Sequence, residues 1–167
     1  MLSCCRLLFF NNNSLLTTAS RPKTDIKLKH LHYFEQLASL TNRKKKSATR
    51  LTKNSKIIKT IIAAIGEKKG ENIISLDLRK INEAVADFFI ICEAGNQPQI
   101  RAIAENVEHK LKELCDENPY HHEGYNNLQW VLIDYVNVVV HVMLPETRKF
   151  YRLEEMWSDA AATGHTA

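Results

Sequence analysis

Two stretches of the chain repeat apolar residues at the spacing of an α-helix. The first stripe consists of Ile57, Ile58, Ile61, Ile62 and Ile65. Asn54 or Ser55 can cap its start, and Gly70 is placed to end it. The second stripe consists of Ile100, Ile103, Ala104, Val107 and Leu111. It follows Asn96, a suitable cap, and Pro98, whose missing N–H costs nothing in a first helical turn. Each helix is predicted to bury one face.

Four other stretches have the patterning of strands. Residues 72–78 are rich in isoleucine, and residues 87–92 form a continuous apolar run, typical of a strand buried on both faces. Residues 129–135 and 137–143 almost abut and predict a hairpin. A polar break is predicted at residues 119–124, and a helix is predicted over residues 146–160. The order predicts a single α/β (α+β) domain with a mixed β-sheet flanked by helices.

The turn of the predicted hairpin has an unusual sequence. Tight hairpin turns favour Gly or Asn where φ is positive. Val136 is a poor residue for such a position, so we expect Asn137 to take the left-handed conformation.

The formal net charge of +4 hides an asymmetry along the chain. Residues 1–56 hold twelve Lys or Arg against two acids, whereas residues 57–167 hold eleven against seventeen. We therefore predict a basic, unstructured extension over residues 1–53, a domain over residues 54–162 and a tail over residues 163–167. An acidic domain does not bind RNA by charge alone, so we expect a protein partner that is itself basic.

The extension has more than one interpretation. Its first acid is Asp25, and its early Ser, Thr and Arg are typical of a mitochondrial presequence. The interpretation that we favour is a poorly ordered extension or a start codon assigned too far upstream. The basic run Arg43, Lys44, Lys45 and Lys46 is either a solvated tether or a segment that contacts rRNA with salt-dependent affinity. No run reaches the roughly 20 apolar residues of a membrane span, so we expect no membrane contact.

The chain lacks the short motifs of common enzymes. It has no P-loop, no GxGxxG and no CxxC pair. Cys92 lies in an apolar run and is expected to be a buried structural residue rather than a nucleophile paired with His141. Asp77 and Asp87 flank strands without forming the DxD pair that holds two metals. We predict no cofactor and no catalytic residues.

A metal site is conceivable from His121, His122 and Glu123 together with His141. Adjacent histidines in a loop more often point apart than share an ion. We therefore predict no metal.

One face of the predicted hairpin mixes apolar and polar side chains. Alternation places Trp130, Leu132 and Asp134 together, and His141 and Met143 share a parity on the next strand. The set is either a face of the hydrophobic core with one solvent-exposed edge or a protein-binding face. The second interpretation follows from the enrichment of Trp and Met in protein-binding patches. Alternation alone leaves both interpretations open.

Several separated blocks resemble the ribosomal silencing factor family, RsfS, also called Iojap-like. The blocks are ADFFIIC (86–92), QIRAIAENV (99–107), EG (123–124), WVLIDYVNVVVHVM (130–143) and RKFYRLEEMWSDA (148–160). They occur in the family's order, and the resemblance as a whole runs from about residue 57 to residue 160.

The resemblance implies a fold related to nucleotidyltransferases but without their catalytic carboxylates. It implies binding to ribosomal protein L-fourteen on the large ribosomal subunit, where family members block joining of the small subunit and repress translation. It also implies a bacterial cytoplasmic protein and a homodimer. The alternatives are a large-subunit assembly factor of the mitochondrial matrix and, from another class, a diverged nucleotidyltransferase that uses Asp77 and Asp87 with a divalent ion.

The candidate contacts or supports for the partner surface are Trp130, Leu132, Asp134, His141, Met143 and Tyr151. Four of them, Trp130, Asp134, His141 and Tyr151, fall in the family's characteristic blocks. The sequence departs from the family at the hairpin turn, where the usual Gly-Asp is Val136 followed by Asn137. Residues 93–96 likewise replace the usual small polar segment after the second strand.

Overall fold

The computed structural model describes residues 52, 55–82 and 84–166. The predicted extension over residues 1–53 therefore lies outside the described residues, apart from residue 52. Its basic run Arg43, Lys44, Lys45 and Lys46 lies outside them too. No helix among the described residues is both long enough and apolar enough to cross a bilayer.

The two predicted amphipathic helices are confirmed. Helix α1 spans Lys56–Glu67, and the Ser55 side chain caps it by accepting the N–H of Ile58 at 3.5 Å. Helix α2 spans Gln97–Cys115, and Asn96 caps it by accepting the N–H of Gln99 at 2.9 Å. Both stripes are buried on the same side of the sheet, so sequence periodicity correctly identified the packing faces.

The end of α1 differs in one respect from the prediction. Lys69, not Gly70, takes the left-handed conformation, with φ 56°. Gly70 is buried, and its N–H donates to the Ile65 carbonyl at 3.0 Å. A Cβ at this position would overlap the Ile65 side chain. The glycine is needed for close packing rather than for its φ angle.

A six-stranded mixed sheet forms the centre of the domain, in the order β3-β4-β5-β2-β1-β6. The strands are β1 (Glu71–Asp77), β2 (Phe88–Glu93), β3 (His121–Glu123), β4 (Trp130–Asp134), β5 (Val138–Met143) and β6 (Ala161–His165). Only the central pair, β2 and β5, is parallel. All six residues of β5 are buried, as expected for a strand covered on both faces.

The two edge strands were not predicted. Strand β3 lies inside the stretch expected to be a polar break, and β6 extends across residue 162, where we expected the domain to end. Strand β6 pairs with β1, for example Ser75 with Thr163.

The helix predicted over residues 146–160 is wrong in its length. Helix α3 spans Pro145–Tyr151 and α4 spans Leu153–Met156. Arg152 separates them because its φ of 49° ends the first helix. Helices α1 and α2 cover one face of the sheet, here called the first face. The short helices lie against the second face, where Leu153 is fully buried.

The hairpin turn also differs from the prediction. Val136 itself takes positive φ, 73°, and the N–H of Asn137 donates to the Tyr135 carbonyl at 2.9 Å. This i→i+2 bond around a residue of positive φ is a strained γ-turn. We expected Asn137 to take the left-handed conformation, and that expectation is wrong because the tighter turn centres on Val136.

Candidate functional site

Six aromatic rings follow one another across the second face of the sheet. In order, the rings belong to Phe150, Tyr151, Trp130, His141, Phe89 and Trp157. Successive ring centroids lie 5.1, 5.0, 5.7, 4.9 and 5.5 Å apart. These separations are typical of favourable aromatic pairs. We call this set the aromatic row.

Strand register explains how the middle of the row assembles. In the β4–β5 ladder Trp130 lies opposite Met143, and Leu132 lies opposite His141. The predicted parity is therefore confirmed, since these four side chains share the second face. Tyr151 reaches them from α3, where its ring meets that of Trp130.

The candidate residues divide by burial into two groups. Leu132, His141 and Met143 are buried, with 3%, 2% and 0% of their surface exposed. Trp130, Asp134 and Tyr151 are half-buried and reach the surface. The buried side chains therefore form an inner layer that supports the half-buried ones at the surface.

An exposed aromatic side chain that sequence reasoning missed extends this surface. Phe150 is 60% exposed, and its ring contacts that of Tyr151 edge to face. The signal for it in the sequence was a second aromatic residue directly beside Tyr151. We call Trp130, Phe150 and Tyr151 together the docking surface.

Helix α3 is fixed on the sheet by a nearly buried arginine. Arg148 donates to Glu154 Oε1 and to the Asn72 carbonyl, each at 2.7 Å, and lies 3.8 Å from Glu93 Oε2. The side chain of Asn72 in turn donates to Glu93. This network ties the helix that carries Phe150 and Tyr151 to β1 and β2.

Carboxylates border the docking surface on the β3 side. His121 lies opposite Asp134 in the β3–β4 ladder, and Glu123 lies opposite Leu132. Asp134 accepts the N–H of Val136 at 2.6 Å, so this carboxylate also holds the strained turn. An apolar surface with an acidic border suits a basic protein.

Gly124 is required by the close approach of two backbones. Its φ is 94°, and a Cβ there would overlap the carbonyl of Trp130. Glycine adopts this conformation without strain. The glycine of the EG block therefore supports the strand that carries Trp130.

The conceivable metal set does not assemble. His121 pairs with Glu123 at 2.8 Å, while His122 points to the other side of β3 and contacts Glu108 on α2 at 3.0 Å. His141 is buried in the aromatic row. Across the described residues, no group of three His, Cys, Asp or Glu side chains could hold a metal ion.

The two aspartates of the rival enzyme hypothesis lie beside an arginine. Arg79 donates to both oxygens of Asp77, at 2.8 and 2.6 Å. The hydrogen bond with Asp77 is the main cause of a raised pKa for Arg79, and the charge of Asp87 adds to it. Both carboxylate oxygens of Asp77 are thus engaged by a permanently charged guanidinium.

The Cys–His pair considered as a nucleophile is also separated. Cys92 belongs to the core cluster on the first face, whereas His141 lies on the second. Burial raises the pKa of the Cys92 thiol to about 12. Such a thiol is protonated at neutral pH and is a poor nucleophile.

Most of the chain matches a known protein family. A family described as "Ribosomal silencing factor during starvation" matches residues 51–166. The chain belongs to this family. The match includes all six strands and both long helices, and therefore the docking surface.

Curated relatives carry the same name. "Ribosomal silencing factor RsfS" of Bacillus subtilis is 39% identical over 107 residues, covering 62% of this chain and 86% of the relative. The protein of that name from Halalkalibacterium halodurans is 37% identical over 110 residues, covering 64% and 90%. The mouse "Mitochondrial assembly of ribosomal large subunit protein 1" is 34% identical over 74 residues, which is 43% of this chain and 32% of that protein.

A solved structure shares the fold of this silencing-factor domain. A crystal structure of a Chromobacterium violaceum protein is 34% identical, with a TM-score of 0.59, and the match covers 66% of this chain and 91% of that one. The predicted fold class, a single mixed sheet flanked by helices, is confirmed.

Proposed function

We propose that this protein is a ribosomal silencing factor that acts by occlusion. Its docking surface binds ribosomal protein L-fourteen on the large subunit, and the bound domain occupies space that the small subunit needs. The observation that carries the proposal is the half-exposed Trp130, supported by buried residues and flanked by Tyr151 and exposed Phe150. A rigid, partly exposed aromatic cluster is the usual centre of a protein interface.

Charge supports a basic partner. Residues 57–167 carry six more acids than bases, and Asp134 and Glu123 border the docking surface. The cationic side chains of a ribosomal protein can pair with these carboxylates and stack on the rings of Trp130 and Tyr151. Occlusion of this kind requires no catalytic group, and the proposed activity is non-enzymatic repression of translation in a bacterial cytoplasm.

The test is co-sedimentation of the full chain with isolated large subunits, small subunits and equal mixtures of both. We expect binding to large subunits only, and fewer joined ribosomes in the mixture. Trp130→Ala should weaken large-subunit binding by about 1–3 kcal/mol, the scale of an interface anchor. Tyr120→Ala is the matched control, since Tyr120 is 52% exposed at the other end of β4.

Each part of the proposal can fail separately. Equal binding by Trp130→Ala and by the unchanged chain would reject the docking surface. Binding that leaves subunit joining unaffected would reject occlusion. Pull-down of purified ribosomal protein L-fourteen tests the identity of the partner. Sedimentation of the chain alone at several concentrations tests the homodimer.

A second candidate is a large-subunit assembly factor in mitochondria. The mouse relative named for that process favours it, as does the lack of acids before Asp25. A mature N-terminus well inside residues 1–50, found in a mitochondrial fraction, would support this candidate over a cytoplasmic silencing factor.

A further inference from the structure

Strand β6 is an edge of the sheet and, along the part of the chain that the structure describes, it is paired on one side only. Residues 161–164 of this strand are exposed. The other edge strand, β3, has only three residues and carries Glu123, whereas β6 has five residues and no Asp, Glu, Lys or Arg. Short length and charge are features that keep an edge strand from pairing with another chain. Strand β6 has neither of them.

Pairing with β1 decides which backbone groups of β6 point outward. Ser75 lies opposite Thr163, and its hydroxyl donates to the Thr163 carbonyl at 3.5 Å, so this carbonyl points towards β1. The N–H of Leu78 donates on the opposite side of β1, towards β2, which agrees with this alternation. The N–H and C=O groups of Ala162 and Gly164 therefore point away from the sheet.

Gly164 has no structural role within a single copy of the domain. Among the described residues, the glycine with positive φ is Gly124, not Gly164. A Cβ added to Gly164 would meet no atom within 4 Å. Glycine inside a strand weakens it, and where neither φ nor crowding accounts for the glycine, it marks a place where another backbone approaches closely.

We propose that the outer edge of β6 pairs in antiparallel fashion with β6 of a second copy of this chain. A twofold axis at Thr163 brings all five residues of the strand into the contact. Ala162 of each copy then lies opposite Gly164 of the other, and each such pair exchanges two backbone hydrogen bonds. Thr163 faces the same residue of the other copy in a close pair without backbone hydrogen bonds.

Charge and side-chain size favour a second copy as the occupant of this edge. Residues 160–167 contain no Asp, Glu, Lys or Arg, so two copies meet there without repulsion between like charges. A basic segment of another protein would find no carboxylate along the strand. The outward edge carries alanine and glycine, which leave room for a second backbone.

The proposal goes beyond the proposed function, because neither binding of L-fourteen nor occlusion requires a second copy. Three strands separate β6 from β4, the strand that carries Trp130. Two strands of five residues form an interface smaller than the roughly 1,200 Å² of standard protein complexes. Association should therefore be weak and should depend on concentration.

The test is sedimentation velocity of the full-length chain over a hundredfold range of concentration. Thr163→Lys and Thr163→Glu each place like charges opposite one another at the axis, so each variant alone should raise the dissociation constant of the dimer about fivefold. An equimolar mixture of the two places opposite charges there and should associate about as tightly as the unchanged chain. An unchanged chain that stays monomeric, or a mixture no tighter than its components, would overturn the proposal.

The matched controls carry the same charges at another exposed position. Asn126→Lys and Asn126→Glu change the loop between β3 and β4 and should leave the dissociation constant unchanged, as should Trp130→Ala. Equal weakening at positions 126 and 163 would show a general effect of charge and contradict pairing at β6. Loss of association in Trp130→Ala would assign the contact to the docking surface instead.

Cross-linking tests the register independently, in case the charged variants detach β6 from β1. Thr163→Cys in a Cys4→Ser/Cys5→Ser background should form a disulfide-linked dimer with oxidised glutathione, because a pair without backbone hydrogen bonds brings the two Cβ atoms within disulfide range. Asn126→Cys in the same background should not. Equal cross-linking of the two variants would reject the axis at Thr163. Large-subunit binding by a chain that does not self-associate would overturn this inference and leave the proposed function intact.

Discussion

The rings of Trp130 and His141 are joined by a hydrogen bond, from the indole Nε1–H to the imidazole Nδ1 at 3.2 Å. Because His141 is buried and Trp130 is half-exposed, the bond connects the docking surface to the interior of the domain. It also satisfies the indole N–H internally, so a partner meets the ring of Trp130 rather than its donor.

Replacing the acceptor should weaken the domain. His141→Phe keeps an aromatic ring between Trp130 and Phe89 but removes Nδ1, and we expect the free energy of unfolding to fall by about 1–2 kcal/mol. Urea denaturation measures the change. The control is the same substitution in a Trp130→Phe background, which lacks the N–H. An equal cost in both backgrounds would show that the bond contributes nothing to stability.

The strained turn should be relieved by glycine. Val136 has a β-branched side chain at φ 73°, a conformation that costs about 1–2 kcal/mol for residues with a Cβ. Val136→Gly should raise the free energy of unfolding by about 1 kcal/mol, after the entropy cost of glycine. Val136→Ala retains the Cβ and should gain little. Equal effects of Gly and Ala in thermal denaturation would contradict the strain.

Arg148 and Arg152 offer a matched pair of arginines. The side chain of Arg148 is 10% exposed and pairs with Glu93 and Glu154, whereas that of Arg152 is 62% exposed and pairs with Glu155 at 3.2 Å. Arg148→Met should cost about 2–3 kcal/mol, because it leaves two partly buried carboxylates without their cation. Arg152→Met should cost less than about 1 kcal/mol. Similar costs in urea denaturation would show that the Arg148 network does not anchor α3.

Stability should decrease at alkaline pH. Burial raises the pKa of Cys92 from 9.0 to about 12, so the unfolded chain loses this proton first. The stabilisation is complete below about pH 9 and is lost as pH rises towards 12, by up to about 1.4 kcal/mol per pH unit. Burial also raises the pKa of Tyr125 and Tyr135, which steepens the loss above pH 10.

A variant of Cys92 checks this origin. Cys92→Ala should flatten the dependence of the unfolding free energy on pH between 9 and 10. A slope that survives Cys92→Ala would assign the effect to other groups.

The elements predicted correctly from sequence are those with strong local signals. Helix α2 has a cap at Asn96, a proline in its first turn and a regular stripe, and β2 has a continuous apolar run. Strands β3 and β6 have no such signal, because most of their residues are polar or exposed. They form because β4 and β1 offer free edges for pairing. This is an effect of tertiary structure, which the hydrophobic periodicity of the sequence does not reveal.

The candidate site was likewise predicted only in part from the sequence. Strand alternation correctly placed Trp130, Leu132, His141 and Met143 on one face, because register follows the hairpin. It did not indicate which of them are covered, since that depends on where α3 ends. The break at Arg152 involves neither Gly nor Pro, and Phe150, two residues before it, is 60% exposed. The residue type at position 152 therefore gave no signal for the end of α3.

The position of β6 also has a consequence during synthesis. Strand β1 is made early, yet one of its edges is covered only by β6, with Ser75 bonded to His165 ninety residues later. Until those residues leave the ribosome, that edge of β1 presents unpaired N–H and C=O groups beside Ile73 and Ile74, a template for pairing with another chain. Vulnerability to aggregation should therefore be greatest in nascent chains that have completed β5 but not β6.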